Sequence, residues 1–273
     1  VMEERVKEIC RLKQEQDVNV LLVSSGAVGC GMKELKMTER PGLLPVKQAV
    51  AAVGQAMLMY NYHTLFSTHG KGLSTAQILL TLADLDQRQA YLNVRNTLNA
   101  LFDMKTVVPI LNENDTTAVE ELRFSDNDTL AARIAAKINA SLLIILTDVD
   151  GLYDKNPDKY SGAKLVPYVD KITPEILDSA GGAGSVASTG GMRTKLEAAK
   201  IACTAGVPVV IANGQRSGII RGVLDGTAPC TAFEPSHTAL SHRKRWIAFG
   251  RAVRGVLVID QGARNALVNR GKS

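Results

Sequence analysis

Short polar clusters stand out from this chain as places where chemistry could be done. They are Ser24-Ser25-Gly26-Ala27, Asn112-Glu113-Asn114-Asp115, Ser125-Asp126-Asn127-Asp128, Thr147-Asp148-Val149-Asp150 and the run from Ser188 through Thr189, Gly190, Gly191, Met192, Arg193 and Thr194 to Lys195. Carboxylates, side-chain amides and hydroxyls crowded between apolar runs suit a ligand carrying an amine, a carboxylate or a metal-bound phosphate. The last cluster is a glycine-rich loop entering a helix, which can aim backbone N–H groups and a lysine at phosphate. It lacks the G-x-x-x-x-G-K-[ST] spacing of a P-loop. The small residues after Ser25 would also let an anion approach backbone N–H groups closely.

Each cluster has a plainer reading. Ser125 and Asp128 fit an [ST]-x-x-[DE] capping box, which leaves Asp126 and Asn127 unexplained. The Asn112 to Asp115 segment could be a polar turn, Asp148 and Asp150 could end a buried strand, and Lys195 could be solvated. Several chemistries do not fit. The chain has no G-x-S-x-G motif and no histidine beside any of these clusters, which argues against a serine hydrolase. Its four histidines and four cysteines show no zinc-ligand spacing. The cysteines lie among small or aliphatic residues and read as free thiols of a reducing compartment.

The elements that would carry these clusters alternate. Apolar runs at residues 18–23, 106–111, 141–147 and 207–212 read as buried strands, with a further strand candidate at 74–81. Helices are expected over residues 1–16, in a long region after Pro45, and over 84–103, 125–137 and 193–205. Thr173-Pro174-Glu175 is a helix start, and Gly206 with Pro208 a helix stop. Gly54 inside the long helical region marks a break or a close approach. Alternating strands and helices with continuous apolar strands indicate an α/β fold, a mostly parallel sheet sandwiched between helices. In such sheets ligands bind beyond the carboxyl ends of the strands. The clusters after Val23, Leu111, Leu146 and Ala212 all sit there, so dispersed motifs are expected to meet in one crevice.

Composition agrees with a folded soluble domain, at 45% hydrophobic and 22% charged residues. No stretch approaches the roughly 20 apolar residues of a membrane span, and no signal peptide opens the chain, so the reading is cytoplasmic with no membrane partner. The formal charge of +5 is concentrated in residues 243–273, where basic residues far outnumber the single acid Asp260. Only Trp246 and Phe249 accompany that charge as aromatic platforms, so RNA binding by the tail is not expected.

Taken together, SSGAV at Ser24, AAVGQ at Ala51, NENDT at Asn112, SDNDTLAA at Ser125, LTDVDGLY at Leu146, STGGMRTK at Ser188 and RKRWIAFG at Arg243 resemble the amino-acid kinase family and, within it, the glutamate 5-kinase branch. The joint order of these motifs is specific although each alone is weak. The resemblance implies ATP-dependent phosphorylation of the side-chain carboxylate of L-glutamate to L-glutamyl 5-phosphate, opening proline biosynthesis, with ATP and Mg²⁺. It implies glutamate binding by Ser25, Asp115 and Asn127, and a catalytic pair in which Asp128 orients lysines and Lys195 meets the transferred phosphoryl group. It further implies ATP contacts from Thr147, Asp148 and the 189–195 loop, feedback inhibition by proline, and a homo-oligomer.

The resemblance also predicts organisation. Residues 1–236 match the kinase domain without its first strand and its lysine- and glycine-bearing loop, and residues 237–273 match a linker and the opening of a PUA-like domain. Alternatives within the fold are aspartate, acetylglutamate, carbamate or nucleoside-monophosphate kinases. A non-catalytic ligand-sensing module is the alternative outside enzymology.

Overall fold

The computed structural model describes residues 1–118, 127–157, 159–179, 191–236 and 260–266. Ser125, Asp126, Thr189, Gly190 and most of the basic tail, including Trp246 and Phe249, lie outside the described residues.

The first layer begins with α1 (Met2–Gln16), β1 (Leu22–Val23), α2 (Ala27–Glu34) and α3 (Leu44–His69). It continues through β2 (Ser74–Leu80), α4 (Leu82–Asp86), α5 (Arg88–Asp103) and β3 (Val107–Glu113). Its three strands pair in the order β1-β3-β2, all parallel. The second layer holds β4 (Leu143–Thr147), β5 (Tyr168–Val169), α7 (Pro174–Ser179), α8 (Met192–Thr204), β6 (Val209–Asn213), α9 (Ile219–Leu224) and β7 (Cys230–Phe233). Here the order is β4-β6-β7-β5, with β6 and β7 antiparallel. Between the layers in sequence lies α6 (Asn127–Ile138), which packs on α8 and β4 and also on β1 and β3. The expected parallel strands are therefore present, divided by hydrogen bonding into two sheets that share α6.

Packing follows from apolar spacing. In α6, Leu130 and Ile134 are fully buried and join Leu80, Leu85 and Leu111 in one cluster, while Ala132 and Ala135 turn toward Leu196, Ala199 and Ile145. Small residues on that second face let α8 approach closely. Burying Leu130 or Ile134 contributes on the order of 1.5–3 kcal/mol each.

The close approach expected at Gly54 is real. A methyl at Gly54 would overlap the carbonyl oxygen of Ala27, and one at Gly31 would overlap that of Val50. These reciprocal contacts seat α2 against α3. They also fix the turn before α2, where Gly26 adopts φ 108°, a left-handed conformation that glycine accepts readily.

Several expected boundaries move. The 84–103 helix is two helices, because Thr81 and Asp84 form a reciprocal capping box that starts α4 and Gln87 interrupts with extended backbone. Of residues 18–23 only Leu22 and Val23 find a ladder partner, pairing with Ile110 and Leu111. Strand β3 runs past the apolar stretch and carries Asn112 and Glu113 in register with Leu79 and Leu80.

Candidate active site

Strand β3 ends where α6 begins in space, and the two bring the first substrate cluster together. Asn127, at the start of α6, donates from Nδ2 to the Ser24 carbonyl at 2.8 Å, the Ser25 hydroxyl at 2.5 Å and Asn112 Oδ1 at 3.0 Å. Asn112 is itself buried and oriented from both sides. Its Oδ1 also accepts the Glu113 backbone N–H, and its Nδ2 donates to Gln55 Oε1 at 2.7 Å. Ser24 is held by a 2.9 Å hydrogen bond with the buried Tyr62 hydroxyl. The consequence is a fixed amide. Among the described residues, Asn127 Oδ1 is buried without a hydrogen-bond partner. A buried acceptor left in that state costs about 1–3 kcal/mol.

This amide borders a cavity of about 210 Å³ lined by residues 26–29, Arg40, Asn112, Glu113, Asp115 and Asn127. That is smaller than the roughly 300–1,000 Å³ of drug-sized pockets and suits a small metabolite. Asp115 is half-buried there, and burial raises its pKa above the ordinary value. A cationic group beside it would reverse that shift.

One residue further along α6, Asp128 faces a different neighbour. Successive helical side chains diverge by about 100°, so Asn127 can serve the cavity while Asp128 meets α8. Its Oδ2 accepts from Lys195 Nζ at 3.1 Å, with both side chains largely buried. Lys195 lies in the first turn of α8. Gly191 caps that helix without a side-chain bond, leaving its first backbone donors to other partners. Thr194 turns its hydroxyl back to the Gly191 carbonyl at 2.8 Å, and the exposed Arg193 reaches Glu197 at 3.2 Å. Met192 opens the helix and packs against the second-layer core. The N-termini of α2, α6 and α8 all present positive dipole ends, which favour anions.

Thr147 ends β4 and donates its hydroxyl at 3.0 Å to Oδ1 of Asp148, the next residue. Next to them, Asp150 accepts two 2.7 Å bonds from Arg216 and one of 3.2 Å from Asn213. Those Arg216 bonds hold the Asp150 carboxyl below its ordinary pKa.

Sequence reasoning thus named Ser25, Asp115, Asn127, Asp128 and Lys195, which the structure gathers around the start of α6. Thr147 and Asp148 stand at the end of β4. It gave no role to Gln55, Tyr62, Arg40 or the Asp150–Arg216 pair. Gln55 sits 57 residues from Asn112 in a helix that is apolar nearly all round. Gln55 is one of two glutamines in that helix, with Gln48, and nothing in the local sequence marks which of them meets Asn112.

Comparison with known proteins gives a consistent picture. The model of the amino acid kinase family matches residues 1–213. Glutamate 5-kinase of Caldanaerobacter subterraneus subsp. tengcongensis is 47% identical over 273 residues, spanning all of this chain and 72% of the relative. Glutamate 5-kinase of Moorella thermoacetica is 52% identical over 254 residues, covering 93% of this chain and 66% of the relative. Among solved structures, UMP kinase from Ureaplasma parvum superposes with a TM-score of 0.54 at 14% identity, over 85% of this chain and 88% of the other. An isopentenyl phosphate kinase does so with a TM-score of 0.53 at 17% identity, over 85% and 89%.

Proposed function

We propose that this chain, which belongs to the amino acid kinase family, transfers the terminal phosphoryl group of ATP to the side-chain carboxylate of L-glutamate, forming L-glutamyl 5-phosphate for proline biosynthesis. The observation that carries the reading is the adjacency of Asn127 and Asp128. One borders a small cavity with acceptors for an ammonium group, and the next anchors a buried lysine.

In this reading the α-ammonium of glutamate lies beside the Asp115 carboxylate, Asn127 borders the same cavity, and Ser25 contributes its hydroxyl. The side-chain carboxylate then extends toward Lys195. A glutamate carboxyl has a reference pKa near ~4.3, so it is ionised at neutral pH and attacks without a general base. That explains why no histidine is needed. The barrier lies in bringing two anions together, which the protein lowers by fixed positive charge and positioning. Lys195 carries that charge, and Asp128 is a positioning residue that holds the Nζ in place. ATP is assigned to Thr147, Asp148 and the 189–195 loop, where the start of α8 offers backbone donors.

Mg²⁺ would enter with the nucleotide and spread charge over its phosphate oxygens. Among the described residues no group of three His, Cys, Asp or Glu gathers to cage a metal. We assign residues 1–236 to the kinase domain and 237–273 to a linker and PUA-like opening. Proline, which shares the ammonium and carboxylate of glutamate, is the proposed feedback inhibitor. A homo-oligomer is supported by the exposed Val46, Val53 and Tyr60 on α3. A cytoplasmic setting is supported by four unpaired cysteines. No described helix is long and apolar enough to cross a membrane.

The substrate assignment is tested by ADP release with L-glutamate, L-aspartate and N-acetyl-L-glutamate supplied separately. Turnover is expected with glutamate, with little from the shorter or N-acylated acids, because acetylation removes the ammonium that Asp115 receives. Strong turnover with aspartate and none with glutamate would overturn it.

A further inference from the structure

We infer that Arg40 binds the α-carboxylate of the substrate and is the residue that makes the pocket select an amino acid over its decarboxylated or amidated analogues. The inference rests on the reading of the cavity as the glutamate site and assigns the one charged group of that substrate not yet accounted for.

Among the described residues lining the cavity there are two acids, Glu113 and Asp115, and a single cation, Arg40. Asp115 suits an ammonium group. An α-carboxylate attached to the same carbon must then lie within a few ångströms of Asp115, where like charges repel. A pocket with acids alone would favour a simple amine over an amino acid. Arg40 changes the sign of that choice. Its planar guanidinium matches a carboxylate with two parallel donors.

The local sequence places it for this task. Arg40 lies in the loop between α2 and α3, and Pro41 after it restricts its backbone to extended conformations. The seating of α2 on α3 through Gly31 and Gly54 holds both ends of that loop. Although it lines a cavity with two carboxylates, Arg40 makes no ion pair among the described residues, and its side chain is exposed. Arg5, Arg133, Arg193, Arg216 and Arg221 are each tied to an acid away from the cavity, and among the described residues Arg40 is the arginine that lines it. An arginine kept apart from adjacent acids is available to an incoming anion, and its removal leaves no internal partner unpaired.

The test compares the unmodified protein with Arg40→Gln and Arg40→Lys on L-glutamate and L-isoglutamine, in which the α-carboxylate is replaced by a neutral amide of the same shape. Arg40→Gln is expected to raise the KM for glutamate about 10- to 100-fold, the scale of a charge-assisted hydrogen-bonded pair, with kcat nearly unchanged. The preference for glutamate over isoglutamine, taken as the ratio of kcat/KM values, should narrow by the same factor, and Arg40→Lys should restore part of it. An unchanged KM for glutamate would overturn the assignment and hand the α-carboxylate to the backbone N–H groups at the start of α2. An equal loss on both substrates would overturn it too, because it would mark a general effect on the pocket. Failure of the unmodified protein to turn over glutamate would strike the reading of the site itself, which separates the two claims.

Discussion

Replacing Lys195 by alanine is expected to lower kcat for glutamate phosphorylation by about 100-fold or more, since removing one preorganised donor from developing charge costs on the order of 10²–10³ in rate. The KM for glutamate should change much less, because the cavity is built from β3, α2, its following loop and Asn127 rather than from α8. The structure adds a reason to expect the upper part of that range. Lys195 is paired at 3.1 Å with an Asp128 that is only 19% exposed, so its removal leaves a carboxylate facing the incoming phosphates. That converts loss of attraction into repulsion. The double variant Lys195→Ala/Asp128→Asn should accordingly be faster than Lys195→Ala alone, a coupling expected of residues in direct contact. Steady-state kinetics on the three proteins decide this, and a Lys195→Ala enzyme with an unaltered kcat would remove the lysine from the mechanism.

Substituting Asp115 by asparagine should move affinity and stability in opposite directions. The KM for glutamate should rise about tenfold to a hundredfold, since a hydrogen bond to a charged group contributes roughly 1.5–3 kcal/mol. Stability of the ligand-free protein should increase instead. Burial raises the folded-state pKa of Asp115 above its ordinary value of 3.8, so the folded chain holds this proton more tightly than the unfolded chain does. As pH rises through the interval between those values the group subtracts from stability, and above the folded pKa the whole penalty is present. Asparagine carries no such penalty. The Tm of Asp115→Asn should therefore exceed that of the unmodified protein at neutral pH, and the difference should fade in acid below the unfolded pKa. A lower Tm at neutral pH together with normal glutamate affinity would return Asp115 to the role of a turn residue.

The pattern of what the sequence disclosed has a physical basis. Polar clusters at the carboxyl ends of apolar strands were legible because strand and helix periodicities are local, and the C-terminal edge of a parallel sheet is a general site for ligands. Strand-end clusters and a glycine-rich helix start pointed to the segments that hold Ser25, Asp115, Asn127, Asp128 and Lys195, while the roles proposed for these residues came from the resemblance to a known family. What stayed hidden depends on contacts distant in sequence. Gln55 orients Asn112 across 57 residues, and Arg216 meets Asp150 across 66. Arg40 sits in a loop with no periodicity to mark it. The antiparallel strand Cys230–Phe233 and the two-residue strand Tyr168–Val169 are too short to show a repeat, and each is defined only by its neighbour. The start of α4 was readable in Thr81 and Asp84, whose spacing is that of a capping box, but a longer helical pattern masked it.

The central claim is that the side-chain carboxylate of glutamate is itself the nucleophile. It is tested most directly with glutamate carrying ¹⁸O only in that carboxylate. Attack on phosphorus makes one labelled oxygen the bridge of the acyl phosphate. When the α-amine then displaces phosphate by closing a five-membered ring, the C–O bond breaks and the label leaves with phosphorus. Inorganic phosphate bearing one ¹⁸O, formed in step with ADP, is the predicted result. Phosphate without the label would contradict the account, because the phosphoryl group would then have passed to water or to another acceptor.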